Sequence, residues 1–147
     1  MSRLVAWLTS AGDPRLVGTV VARALLAVMF LQAGLGKFVV HDDYIERFDR
    51  WGFPAPGAVA YLVGVVEVVC AVLMATGILP RLAGPALAGN MAGAFLTAGF
   101  VDGGQNLWLP PILAALALYV AWAGAGRYRL HERILPVDGI TIGGRTG

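Results

Sequence analysis

One cysteine, one lysine and two histidines among 147 residues leave little room for metal or redox chemistry carried by this chain alone. A single cysteine, Cys70, excludes an intrachain disulfide, a CxxC redox pair and a cysteine-ligated iron–sulfur cluster. A haem held between two histidines needs both at one depth. His41 and His131 are expected at opposite membrane boundaries, so the chain does not supply that pair. Charge is also scarce, with 14% charged residues and a formal net charge of +2. No basic face for nucleic acid is present, and neither a flavin nor a nucleotide fingerprint. Ten of the 11 basic residues are arginine, and Lys37 is the exception.

Hydrophobic residues, by contrast, make up 58% of the chain, and the mean hydropathy is +0.72. They are gathered into four runs, at 17–40, 58–78, 82–101 and 107–125. Each is close to the ~20 residues a helix needs to cross a bilayer. Backbone amides in lipid must be satisfied within their own segment, so such runs are expected to span as helices. The fold class that follows is all-α: a polytopic membrane protein built as an antiparallel bundle of four transmembrane helices. Residues 1–16 and 126–147 form cytoplasmic ends, and no separate soluble domain has room for its own core. The first run is too long for the apolar region of a cleaved signal peptide and is expected to remain as an anchor.

Arginine placement sets the orientation. With the first span entering from the cytoplasm, seven arginines fall inside, from Arg3 and Arg15 to Arg81 and the four of the tail, against Arg47 and Arg50 outside. This bias places both termini in the cytoplasm of a plasma or inner membrane. Asp13-Pro14 reads as a helix start, and Pro54 and Pro56 precede the second span. Pro85 and Pro110-Pro111 fall in first turns, where a missing N–H costs little. The glycine-rich end of the chain, 136–147, is expected to be disordered.

The loop after the first span has its own pattern. Asp43-x-x-Glu46 resembles a capping box, and Ile45, Phe48 and Trp51 recur every three residues. We expect a short amphipathic helix at 41–52 on the outer membrane face. His41 with Asp42, Asp43, Glu46 and Asp49 is better explained as its solvated acidic face than as a metal site.

The polar residues inside the spans bear on function. Glu67 sits near the middle of the second run, where a charge costs roughly 2.5–3.5 kcal/mol on insertion scales. If mid-span Glu67 lies level with Val28, Arg23 is ~8 Å away along the axis, within reach of a long side chain. An Arg23–Glu67 pair is therefore expected, joined by Asn90 at the same depth on the third span. Lys37 lies on the Arg23 stripe but nearer the boundary, where snorkelling is its expected course. Gln32, on the opposite face, is a further secondary candidate. Cys70 is expected to be a small packing residue.

These residues, in order, resemble the DoxX family of membrane proteins. The elements are Arg23, Gly34, Gly36 and Lys37 in an R-x(10)-G-x-G-K pattern, the Gly52–Pro56 entry, Glu67, Gly77 with Arg81, and Asn90. The Gly124-Ala-Gly-Arg-Tyr-x-Leu exit also fits, with His131 where an aspartate often follows. The resemblance, over roughly residues 17–131, implies a membrane subunit of a redox assembly. The family is named for the small subunit of a thiosulfate:quinone oxidoreductase, and many relatives are called oxidoreductases on that basis.

Three functions are compatible with these residues. In the first, the chain is a redox-associated subunit holding a quinone at Arg23, Glu67 and Asn90 beside a separate catalytic protein. No catalytic site complete in itself is visible, and a cofactor other than quinone is not indicated. In the second, it is a non-catalytic scaffold that recruits a protein partner or assembles with its own copies. The third, a proton-coupled transporter titrating Glu67, ranks last. The four-helix multidrug transporters carry their glutamate on the first helix, and the arginine bias opposes insertion in two orientations.

Overall fold

The computed structural model describes residues 17–101, 103 and 107–124, and these are all-helical, with no strand among them. Helix α1 is Val17–Val39, α2 His41–Arg50, α3 Pro56–Thr76, α4 Pro80–Ala94 and α5 Leu109–Ala123. A single π turn, Phe95–Gly99, prolongs α4. The expectations for residues 1–16 and 125–147, including the Asp13-Pro14 start and most of the Gly124–Leu130 exit, lie outside the described residues.

Helices α1 and α3 are long and apolar enough to cross a membrane. At 1.5 Å per residue α5 reaches only ~22 Å, short of a ~30 Å hydrocarbon core. The outward faces of α1 and α3 carry exposed Val21, Leu25, Val28, Leu62, Val65 and Val69. Contiguous apolar surface of this kind is rare on soluble monomers and suits lipid contact.

Packing runs chiefly between α1 and α3 and between α4 and α5, with α3 against α4 joining the pairs. One buried cluster draws on all four of these helices: Leu26 and Phe30 of α1, Ala71 and Met74 of α3, Leu87 of α4, and Ala117 and Val120 of α5. Cys70 belongs to it, as a small buried residue should.

Glycines decide how closely the pairs approach. A Cβ on Gly84 would lie 2.5 Å from the Ala117 carbonyl oxygen and 2.6 Å from Ala121 Cβ. A Cβ on Gly34 would meet Val68 Cγ2 at 2.8 Å, the Gly64 carbonyl at 3.0 Å and Glu67 Cβ at 3.1 Å. Backbone atoms cannot step aside, so Gly84→Ala must force α4 and α5 apart. We expect a loss of ~1–3 kcal/mol, read as a lower unfolding midpoint in detergent.

One local expectation is corrected. The capping box at Asp43 and Glu46 does not form: α2 starts at His41, as expected, its N-cap is Val40, three residues before Asp43, and no side chain caps it. The His41 ring instead bonds the Lys37 carbonyl at 3.0 Å, tying α2 to the end of α1. The Ile45, Phe48 and Trp51 stripe is turned onto the protein, with Phe48 buried and the other two half-buried. Ile45 packs at Gly57, and Phe48 is buried edge-to-face with Trp51 and Phe53 at ring distances of 5.1 and 5.3 Å.

Candidate functional site

Glu67 is 2% exposed, and its carboxylate is held by two other helices. Lys37 of α1 donates to Oε2 at 2.6 Å, and Asn90 of α4 donates to Oε1 at 2.7 Å. Lys37 also donates to the Ala33 carbonyl at 3.3 Å, and its ammonium stands 5.0 Å from the centre of the Tyr44 ring. The lysine is itself buried, at 7% exposure, so it does not snorkel. Ion pair and amide together offset what a lone carboxylate would cost inside an apolar structure.

The expected Arg23–Glu67 pair is not formed, and two physical causes account for this. First, the close approach at Gly34 sets Glu67 level with Gly34 and Ala33, more than a turn from Val28. Second, helical side chains lean toward their own N-terminus. Lys37 therefore reaches back to the level of Ala33, opposite Glu67, while Arg23 leans away toward the end of α3. There Arg23 Nε donates to the Met74 carbonyl at 2.8 Å, and a terminal nitrogen to Ala75 at 3.2 Å. These are among the last carbonyls of α3, which lack partners within their own helix. Leu73 is served by the Gly77 amide at 3.0 Å, with Gly77 in the left-handed conformation at φ 73°. Arg23 thus caps a helix end and complements its negative pole. Gln32 is exposed on the far face of α1 and takes no part in the cluster.

Lys37, Glu67 and Asn90 line one side of a cavity of about 280 Å³. Tyr44 and Phe48 of α2, with Trp51 and Phe53 just after it, give an aromatic wall. Val59 and Val63 of α3 and Gly89, Gly93, Ala94 and Thr97 at the end of α4 complete the lining. A cavity of this size is slightly below the ~300–1,000 Å³ of sites for drug-sized ligands, and suits a group of one or two rings. An apolar enclosure with a few convergent polar groups is the usual build of a small-molecule site.

The aromatic wall is the part of the site least evident in the sequence. Its signal there is the three-residue spacing of Phe48 and Trp51, which fits a lipid-facing stripe equally well. Lys37 has a clearer sign: it is the sole lysine in a chain that otherwise uses arginine. Ammonium is a compact point charge, whereas guanidinium is a planar fork, so the two are not interchangeable at a cramped site.

Two helices long and apolar enough to cross a membrane, and a buried ion pair beside a cavity, are the features of this helical chain that bear on its class. The chain belongs to the DoxX family, whose model matches residues 18–100. It is similar to an uncharacterized membrane protein of Mycobacterium tuberculosis, at 33% identity over 76% of this chain and 78% of that one. It is also similar to CatD of Bacillus subtilis, named as a candidate oxidoreductase, at 30% identity over 55% of this chain and 59% of that one. No solved structure gives a significant match. The protein is a membrane protein.

Proposed function

We propose that the protein is the ligand-binding membrane subunit of a redox assembly, and that its cavity takes the ring of a quinone-class molecule. In this reading the four apolar runs of the sequence cross the membrane as an antiparallel bundle, with both termini in the cytoplasm and α2 at the outer face. The observation that carries it is the Lys37–Glu67–Asn90 cluster at the side of an aromatic-walled cavity.

The residues present fit such a ring. Lys37 spends two of its three N–H groups on Ala33 and Glu67, which leaves one for a ring oxygen. The aromatic side chains supply stacking surface. Gly89 and Gly93 are exposed and would have open space around an added Cβ, so the α4 side leaves passage for an apolar tail. A quinone-class ligand exchanges electrons together with protons. Glu67 is the carboxylate placed to hold a proton beside it, and electrons come from a separate protein partner. The name borne by CatD supports a redox setting.

The test is extraction in mild detergent followed by chromatography of bound lipids. We expect quinone to co-purify with the unaltered protein and to be lost from Lys37→Met, while Arg23→Met retains it. A folded protein free of quinone that brings down the same protein partner each time would favour the scaffold instead.

A further inference from the structure

The hydrogen-bond inventory of the cluster narrows what the cavity accepts, on the reading that its ligand is of the quinone class. A carboxylate only accepts hydrogen bonds. Asn90 must therefore turn Nδ2 toward Glu67 Oε1, as it does at 2.7 Å, and this directs its amide oxygen the other way. That oxygen has no hydrogen-bond partner among the described residues, and it is not sealed within the protein. Asn90 lines the cavity, as do Glu67 and Lys37. The cavity lining thus holds a bare acceptor, Asn90 Oδ1, and two donors, the third N–H of Lys37 and the N–H of Trp51, whose Nε1 is buried without a partner. An oxidised ring, which has only carbonyl oxygens, can answer the donors but not the acceptor.

We infer that the cavity selects a ring bearing a hydroxyl group, the reduced hydroquinone rather than the quinone. The hydroxyl hydrogen is donated to Asn90 Oδ1, and a ring oxygen accepts from Lys37 Nζ. A site that offers a polar partner for a hydroxyl discriminates against an analogue lacking it, because its own group is then left unpaired.

Glu67→Gln reverses the preference. Lys37 holds the oxygen of the introduced amide, so the amino group of that amide faces Asn90. Asn90 must then flip to present Oδ1 to it, and Nδ2 replaces Oδ1 as the group open to the cavity. A bare donor now stands where the acceptor stood, and a carbonyl answers it.

The experiment is anaerobic titration of the full-length protein in detergent, followed by calorimetry. The probes are 2,3-dimethyl-1,4-benzohydroquinone, the corresponding benzoquinone and the hydroquinone's dimethyl ether. The unaltered protein is expected to bind the hydroquinone about tenfold more tightly than either of the others. In Glu67→Gln the benzoquinone is expected to bind more tightly than the hydroquinone. Equal binding of hydroquinone and quinone by the unaltered protein, or tighter binding of the quinone, overturns this inference and leaves the proposed function standing. Binding of none of the three overturns both. The comparison on the unaltered protein decides even where a variant fails to fold, and an unchanged order in folded Glu67→Gln also counts against the inference.

Discussion

Glu67→Leu is expected to lower the unfolding free energy by ~3–5 kcal/mol, the largest single effect in the molecule. Most of that loss comes from what remains behind. Lys37 is 7% exposed and has one carbonyl, Ala33, left to bond when the carboxylate is gone. Asn90 loses the acceptor of its Nδ2 in the same step. The bilayer offers no water to replace either partner. Glu67→Gln keeps an oxygen for Lys37 and is expected to cost less than half as much. The double variant Lys37→Met with Glu67→Leu removes the stranded charge and should recover most of the stability, since well-packed apolar replacements of a buried pair are often near neutral. Thermal or denaturant unfolding in detergent micelles reads all three. A leucine variant within about 1 kcal/mol of the unaltered protein would mean that Lys37 escapes to the surface at little cost, as an unpaired boundary lysine does.

Arg23→Met is the second large effect, with an expected loss of ~3 kcal/mol. Hydrogen bonds to charged groups are worth ~1.5–3 kcal/mol each, and Arg23 makes two to the final carbonyls of α3. Both carbonyls lie beyond reach of an intrahelical amide, so a thioether leaves them without a donor. Arg23 stands at the level of Met74, about two turns from Glu67, so ligand affinity in the folded variant should stay within about twofold of the unaltered protein. Destabilisation with affinity preserved marks a capping role. A large loss of affinity in a variant of normal stability would return Arg23 to the ligand site.

The membrane character is legible from composition and run length, because both express the same requirement for apolar surface. The positions of α1 and α3 are legible to within two residues at each end. The pairing of charges is not, because it depends on how far two antiparallel helices slide past one another. Gly34 and Gly64 carry that information in the sequence, but only their mutual approach turns it into a register. The lean of helical side chains then separates Lys37 from Arg23, two cations on one stripe, into an ion-pair partner and a helix cap. Asn90 can be singled out from the chain alone because an amide amid small residues implies a cross-helix bond whatever the register. The aromatic wall depends on α2 folding back over α3, a tertiary contact that periodicity alone does not specify.

A pair of double-mutant cycles tests the central claim most directly, one between Lys37 and Glu67 and one between Arg23 and Glu67, both read by unfolding in the same detergent. The account predicts a coupling of ~1.5–3 kcal/mol for the lysine cycle and within ~0.5 kcal/mol of zero for the arginine cycle. Strong coupling of Glu67 to Arg23, with none to Lys37, would contradict it.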